Sequence, residues 1–242
     1  ANSTSAITIF DSSMNQVGQV SDLAKGERIY SARFMGDRAY IVTFKEVDPL
    51  FTFDLSNPTN PKVLGELKIP GYSTYLHPIG ENHLLGLGHE TAVEKISGSN
   101  ETFVKPVSLK LSLFNVTDLN NPIEQDVELL GGEGTYSQAI DNHKAFFVHE
   151  EKNLYGFPVS VYDYREDITN PFMGEGAMLY TVTPENGISV AANLISNKSY
   201  EVWEESTQRI LYINDVVYLV RQQNMVSYNI NNFKQLGTVS FQ

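Results

Sequence analysis

The residues best suited to chemistry are carboxylates that lie close together in the chain. The stretch HEEK at residues 149–152 contains Glu150 and Glu151, and Asp163 follows it. Carboxylate oxygens are the ligands that calcium prefers, and paired carboxylates can supply the acid and base that cleave a glycosidic bond. These residues are therefore candidates for a calcium site, or for the centre of an extracellular glycan hydrolase or lyase. In a chain of formal charge −12, the alternative is a solvated acidic surface.

Two further residues could contact a ligand. Trp203, the only tryptophan, lies in YEVWEES and could stack on a sugar or a protein, or be an isolated aromatic residue. Arg209 occupies the place that Ser31, Ser73 and Ser137 occupy in three related segments. Polar groups at a recurring position could line a channel that holds water, an ion or a ligand. The alternative is that the serine hydroxyls satisfy the backbone of neighbouring strands.

Several classes of catalytic site are absent from the sequence. None of the five histidines forms a His-Glu-x-x-His motif, and no serine has a histidine and an aspartate beside it. The glycine-rich GGEG at residues 131–134 precedes a predicted strand and not the helix that a phosphate site needs. The chain has no cysteine, so thiolate chemistry is excluded. We therefore predict no catalytic residue and no cofactor, apart from the calcium alternative.

The charge balance excludes two kinds of partner. With 17 basic residues against 29 acidic ones and no dense run of Lys or Arg, nucleic acid and anionic membranes are poor partners. No apolar run approaches the roughly 18 residues of a membrane span, so this chain is not expected to insert into a membrane. A protein or a cell-surface polysaccharide is the expected partner.

The candidate residues are positioned by a repeat. Tyr-Ser pairs at residues 30, 72 and 136 each open an apolar run, a turn and a second apolar run. RILYI and VVYLV, around Asn214-Asp215, form a fourth copy that lacks the pair. Gly, Asp and Asn in the gaps are typical of β-hairpins, so each copy predicts two antiparallel strands. In the third copy the predicted strands are SQAI and KAFFVHE, on either side of residues 141–143.

Each hairpin is followed by a second one, whose first strand ends near Phe53, Phe114, Tyr180 or Tyr228. Four short antiparallel strands repeated at this spacing predict an all-β fold, a β-propeller of four-stranded blades. The predicted blades cover about residues 30–69, 72–130, 135–195 and 207–241, and residues 6–23 form half a blade. The half blade favours a single propeller domain that is the C-terminal part of a longer protein over an incomplete first blade.

The connections between the predicted strands differ in length. Long loops are predicted at residues 90–108, at 151–158 or 164–176, and at 196–206, whereas the other connections are mostly tight turns. In a propeller these long loops emerge on one face, and loops on a rigid scaffold are where binding usually occurs. We therefore predict a binding surface on this face, the alternative being that the loops are tolerated insertions.

A family resemblance covers nearly the whole chain. Residues 26–88, which begin GERIYSARFMGDRAYIVTF, closely resemble the predicted secreted bacterial and archaeal proteins with a C-terminal β-propeller domain distantly related to WD40 repeats. The segments HKAFFVHEEKNLYGFPVSVYDY and RILYINDVVYLV are similar to the same family in the same order, although the Gly-His and Trp-Asp pairs of WD40 repeats are missing. The resemblance implies an extracytoplasmic protein, secreted or at the cell surface, and no established activity. We expect a scaffold that binds a protein or a polysaccharide.

Overall fold

The computed structural model describes residues 4–44, 48–96, 98, 102–164, 171–196 and 208–241. In this part of the chain there are eighteen β-strands and three 3-10 turns, and no α-helix. The strands form one two-stranded sheet and four four-stranded sheets, each built from strands that are consecutive in the chain. The predicted all-β fold of four-stranded antiparallel blades is confirmed.

The first sheets follow one another along the chain. The two-stranded sheet contains β1 (Ser5–Phe10) and β2 (Gln16–Leu23). The second sheet contains β3 (Arg28–Met35), β4 (Arg38–Phe44), β5 (Asp48–Asp54) and β6 (Lys62–Ile69). The third contains β7 (Tyr72–Ile79), β8 (His83–Lys95), β9 (Thr102–Asn115) and β10 (Ile123–Leu130).

The remaining elements build two more sheets. The 3-10 turns are η1 (Gln138–Ile140), η2 (His143–Ala145) and η3 (Glu150–Lys152). The fourth sheet contains β11 (Phe147–His149), β12 (Leu154–Tyr162), β13 (Phe172–Thr183) and β14 (Gly187–Asn193). The fifth contains β15 (Arg209–Ile213), β16 (Val216–Val220), β17 (Asn224–Asn229) and β18 (Gln235–Ser240).

The chain divides into two compact units, residues 1–129 and 130–242. In the first unit, alternate residues of β4 are buried on opposite sides of the second sheet. Ala39 and Ile41 pack with Ile7 of the first sheet, whereas Tyr40 and Val42 pack with residues of the third. Since side chains alternate across a strand, the apolar run RAYIVTF is explained by a strand that is covered on both faces.

The second unit is built in the same way. Leu154, Ala177 and Leu179 of the fourth sheet share a buried cluster with Ile210 and Leu219 of the fifth. Each unit therefore consists of sheets stacked face to face, which is the arrangement of propeller blades. The single-domain organisation and the place of this chain within a longer protein stay predictions.

The serines of the Tyr-Ser pairs have structural partners. The Ser31 hydroxyl on β3 donates to the Ser73 carbonyl on β7 at 2.7 Å, and so joins the first strands of two adjacent sheets. Ser137 precedes η1, where its hydroxyl accepts a hydrogen bond from the Ala139 amide at 3.2 Å. These contacts support the interpretation that the hydroxyls satisfy nearby backbone, rather than line a channel.

The predicted strands of the third hairpin copy are wrong. SQAI and the residues after it form η1 and η2, Phe147–His149 is the first strand of the sheet, and the second strand is Leu154–Tyr162. Ser137 and Asn142 cap these turns with their side chains, which competes with strand pairing. Pro158 lies within β12, although prolines are rare in inner strands, and the loop predicted at residues 151–158 is mostly strand.

Two of the predicted long loops also differ from the structure. Residues 151–158 lie mostly in η3 and β12, and most of residues 90–108 extend the β8–β9 hairpin as paired strands. Residues 165–170 and 197–207 lie outside the described residues. They include six residues of the predicted loop 164–176, whose last five residues are in fact the start of β13, and nearly all of the predicted loop 196–206.

Candidate functional site

Aromatic side chains gather where the first strands of the second and third sheets begin. We define cluster 1 as Tyr30, Phe44, Tyr72 and His89. The Tyr72 ring lies 4.7 Å from Tyr30, 4.9 Å from Phe44 and 5.6 Å from His89, centroid to centroid. All four are half-buried. Cluster 1 is therefore a partly exposed group of rings at the edge of the core, and its rings pack against one another.

The Tyr-Ser pairs build cluster 1. Tyr30 and Tyr72 are the tyrosines of the first two pairs, and Tyr72 lies opposite His89 across the β7–β8 ladder. A Cβ atom at Gly88 would lie 1.7 Å from the Tyr72 carbonyl oxygen, so only glycine allows this close approach. The sequence therefore specifies both the rings and the backbone contact that holds them. Arg28, which is exposed, lies with its guanidinium 6.0 Å from the Tyr30 ring.

A projecting hairpin begins beside cluster 1. We call residues 91–96 and 102–107 the arm; its strands stay paired from Thr91 with Pro106 to Lys95 with Thr102. Val93 is 58% exposed and Phe103 is 44% exposed, and Ile96 is exposed as well. Lys105 and Glu94 form an ion pair of 2.8 Å on the arm. The arm carries apolar side chains away from the core into solvent.

A buried ion-pair network lies at the base of the arm. Lys110 is only 5% exposed, and its Nζ lies 3.1 Å from a carboxylate oxygen of Glu90 and 3.1 Å from one of Glu124. The ammonium also donates to the Pro70 carbonyl at 2.7 Å. Because Pro70 and Glu90 flank Tyr72 and His89 in sequence, this network fixes the base of the arm next to cluster 1.

A second aromatic cluster lies at the equivalent place in the other unit. We define cluster 2 as Tyr162, Tyr164 and Phe172, at the end of β12 and the start of β13. The Tyr162 and Tyr164 rings are stacked with centroids 5.7 Å apart and planes 10° apart, and Phe172 contacts Tyr162 edge-on. Tyr164 is 54% exposed. Burial raises the pKa of Tyr162, and Tyr164 and Glu175 add to the shift.

The predicted carboxylates are not brought together. Glu150 and Glu151 are exposed in η3, before β12, whereas Asp163 follows β12 and lies beside the stacked tyrosines of cluster 2. The nine residues of β12 separate the two places by roughly 25 to 30 Å. Asp163 cannot therefore share one glycosidic bond with Glu150 or Glu151.

The remaining residues predicted to bind a ligand are Arg209 and Trp203. Arg209 is half-buried at the start of β15, where its Nη1 donates to the Gln138 side chain and to the Gln208 carbonyl, each at 2.7 Å. Its position is explained by these internal contacts, and its predicted binding role stays a prediction. Trp203 lies outside the described residues.

The sequence did not indicate a polar group on the first strands of the first unit. The Tyr75 hydroxyl lies 3.1 Å from Nδ1 of His77 on β7, and Arg33 on β3 is their charged neighbour. Burial, with the positive charge of Arg33 as the second cause, lowers the pKa of His77 to about 4. His77 is thus neutral at physiological pH. The only signal was that Arg33 follows the repeated Ser31 by two places and that Tyr75 and His77 follow Ser73 by two and four, which is too weak to single them out.

Two features are absent from the described residues. No group of three or more His, Asp or Glu side chains there is arranged to hold a metal ion, so the calcium alternative gains no support and stays a prediction. No helix in the same residues has both the length and the apolar character of a membrane span.

Comparison with known proteins identifies the family. The model of the Beta propeller domain family matches residues 1–233. An uncharacterised protein of Methanocaldococcus jannaschii is 38% identical over 239 residues, which are 99% of this chain and 32% of that protein. An uncharacterised protein of Archaeoglobus fulgidus is 31% identical over 234 residues, which are 97% of this chain and 31% of that protein. The chain thus spans about a third of the length of these curated relatives.

A solved structure agrees on the fold. Apo AztD from Citrobacter koseri aligns with 99% of this chain and 57% of its own, at a TM-score of 0.50 and 13% identity. At this identity the likeness concerns the fold alone. Together with the family match and the stacked four-stranded sheets, it leads to one conclusion: this chain belongs to the Beta propeller domain family.

Proposed function

We propose that the chain is a propeller scaffold that binds a protein partner through the arm and cluster 1. The observation that carries the proposal is the set of exposed apolar residues on the arm, Val93, Ile96 and Phe103. Val93 pairs with Val104 and Phe103 pairs with Glu94, so Val93 and Phe103 lie on opposite faces of the arm and both faces carry an exposed apolar side chain. Exposed apolar side chains on a projecting hairpin are typical of protein-binding sites. Cluster 1 adds tyrosine rings beside an exposed arginine, and Tyr and Arg are residue types enriched at protein interfaces.

The base of the arm supports a binding role. Lys110 and its carboxylate partners order the strands where the arm leaves the sheet, so little conformational entropy remains to be lost on binding. The ion pair of Lys105 with Glu94 gives the arm a polar rim beside its apolar residues. An ordered apolar centre with a polar rim is the composition of a protein interface.

Site-specific photo-crosslinking tests this proposal. A benzophenone amino acid placed at Phe103 should yield one discrete protein adduct in an extract of the source cells, and excess unlabelled chain should compete it away. The matched control is the same group at Val190, an exposed apolar position on β14. Identical adducts from both positions, or none from Phe103, would contradict a specific partner at the arm.

A polysaccharide is the second candidate partner, and cluster 2 is the observation that favours it. Tyr164 offers an exposed ring face supported by Tyr162, and Asp163 beside it could accept hydrogen bonds from sugar hydroxyls. Binding of a panel of soluble polysaccharides should then fall on Tyr164→Ala and stay unchanged on Val190→Ala. Equal binding by both variants would exclude cluster 2 as a sugar site.

We further propose that the scaffold works outside the cytoplasm. The support is the resemblance of residues 26–88 to predicted secreted propeller proteins. Fractionation of cells that express the natural protein tests this location. Recovery of the protein in the cytoplasmic fraction alone would contradict it.

A further inference from the structure

The turns between third and fourth strands in the first unit share a sequence and a contact. Residues 54–61 read DLSNPTNP, and residues 115–122 read NVTDLNNP. In both, the first side chain accepts a hydrogen bond from the amide two residues on, at 2.9 and 3.0 Å. The fourth side chain does the same, at 3.1 and 2.9 Å. These are preformed turns with a fixed shape.

Each turn places the carbonyl at its fifth position against a glycine of the preceding sheet. The Pro58 oxygen lies 2.1 Å from where a Cβ of Gly18 would be, and the Leu119 oxygen lies 2.4 Å from where a Cβ of Gly65 would be. The last residue of each turn is a proline, Pro61 or Pro122, and it packs on the same glycine. The Thr52 hydroxyl opposite Gly65 donates to the Leu119 carbonyl. Glycine is required because any side chain would occupy the place of the turn.

In the second unit, an alanine occupies the position that corresponds to Gly18 and Gly65. Ala192 on β14 is the counterpart of these glycines, since it pairs with Leu179 immediately before the strand irregularity at Tyr180. It shares a buried cluster with Ile230, and Phe233 of the β17–β18 turn packs against that cluster. A glycine on the last strand of a sheet, covered by the next turn along the chain, is thus found in the first and second sheets, and Ala192 shares a buried cluster with the next turn in the fourth.

The fifth sheet has a glycine at the corresponding position, Gly237, but no turn of the described residues packs against it. Gly237 on β18 pairs with Ser227, which pairs with Tyr218. In the second sheet the matching row is Gly65, Thr52 and Tyr40, in the same order across the strands. Tyr40 and Thr52 are fully buried, whereas all of β18 is exposed. Among the described residues, only the Ser227 hydroxyl lies within 4 Å of where a Cβ of Gly237 would be.

The face that carries this row is apolar. Leu211 lies opposite Tyr218, and Ile213 lies opposite Val216 on the same face; Leu211 and Ile213 are both exposed. The other face of the sheet carries Ile210, Val217 and Leu219 and is buried against the fourth sheet. We call the exposed side of β15–β18 the open face. It has the apolar composition of a face that packs against another blade, and Gly237 leaves space on it for a turn.

We propose that the open face of β15–β18 binds a further propeller blade, whose Asn-Pro turn places a backbone carbonyl against Gly237 and the Ser227 hydroxyl. The relatives are about three times as long as this chain, so protein beyond these residues is available in the family to supply such a blade. A second copy of this chain is the poorer occupant. Both of its Asn-Pro turns are already seated, on Gly18 and on Gly65.

Substitutions at Gly65 and Gly237 test whether the turn-binding position at Gly237 is unoccupied in this chain. Gly65→Val should lower the melting temperature by roughly 5 to 10 °C, because the added side chain displaces a seated turn. Gly237→Val should leave the melting temperature of this chain unchanged or slightly raised, because valine favours strands and nothing lies in its way. Equal losses in both variants would overturn the proposal.

A peptide supplies the test of the occupant. The probe is a cyclised peptide of residues 113–124, LFNVTDLNNPIE, added at millimolar concentration to the 15N-labelled chain. Saturable amide shifts should centre on Ser227 and Gly237, and they should disappear in Gly237→Val and with a peptide that carries Ala in place of Pro122. No saturable shift, or shifts elsewhere, would overturn the site. Shifts of these amides with protein concentration alone would assign the face to a second copy and overturn the proposed occupant.

Discussion

Replacement of Lys110 by methionine should destabilise the first unit strongly. The Lys110 ammonium is buried between Glu90 and Glu124, each 3.1 Å away, and both carboxylates are mostly shielded from solvent. Removal of one member of a buried ion pair leaves its partners uncompensated and costs about 3 to 5 kcal/mol of unfolding free energy. For a protein of this length, that corresponds to a fall in melting temperature of roughly 6 to 20 °C.

Thermal unfolding followed by circular dichroism measures this effect. Lys68→Met is the matched control, because Lys68 pairs with Glu66 at 3.1 Å on the surface and both side chains are largely exposed. It should cost less than about 1 kcal/mol. Neutralising the carboxylates as well, in Lys110→Met with Glu90→Gln and Glu124→Gln, should recover part of the loss. A Lys110→Met protein as stable as the Lys68→Met control would refute the argument.

Three further results are expected. The folded-state pKa of His77 is about 4, below its usual 6.5, so its contribution to stability is complete above pH 6.5 and is lost as the pH falls towards 4. His77→Gln should flatten that part of the urea-midpoint profile, and an unchanged profile would contradict the burial of His77. Ser31→Ala should cost about 1 kcal/mol in urea unfolding, because the Ser73 carbonyl loses its donor; Ser13→Ala, at an exposed position, should cost almost nothing. Replacing residues 92–105 by Asn-Gly, which joins the paired residues Thr91 and Pro106, should leave the melting temperature within a few degrees; a large fall would show that the arm belongs to the core.

The fold was predictable because its signals are local and repeated. Apolar runs such as RAYIVTF, turn residues between them and an aromatic residue such as Phe53 before the next turn recur in every blade. The Tyr-Ser pair recurs visibly in the sequence, but only the structure shows what its two residues contact. Tyr30 and Tyr72 build cluster 1, while Ser31 joins two first strands.

The errors come from interactions that a single segment does not reveal. SQAI and the start of KAFFVHE are predicted as strands on either side of residues 141–143, yet the caps of Ser137 and Asn142 favour η1 and η2 there. Residues 90–108 are predicted as a long loop, whereas most of them pair as the strands of the arm; Glu94, Lys95 and Lys105 interrupt the apolar pattern that would have indicated strands. The predicted carboxylates were grouped by nearness in sequence, and β12 carries Asp163 to the far end of the sheet from Glu150.

The affinity of the photo-captured partner for the native chain and for the arm-shortened chain tests the central claim most directly. If the exposed apolar residues of the arm are the centre of the interface, their removal should weaken binding by at least about 30-fold, the effect of a loss of about 2 kcal/mol. Val190→Ala should bind like the native chain. Equal affinities of the native and arm-shortened chains would contradict the claim that this propeller binds its partner through the arm.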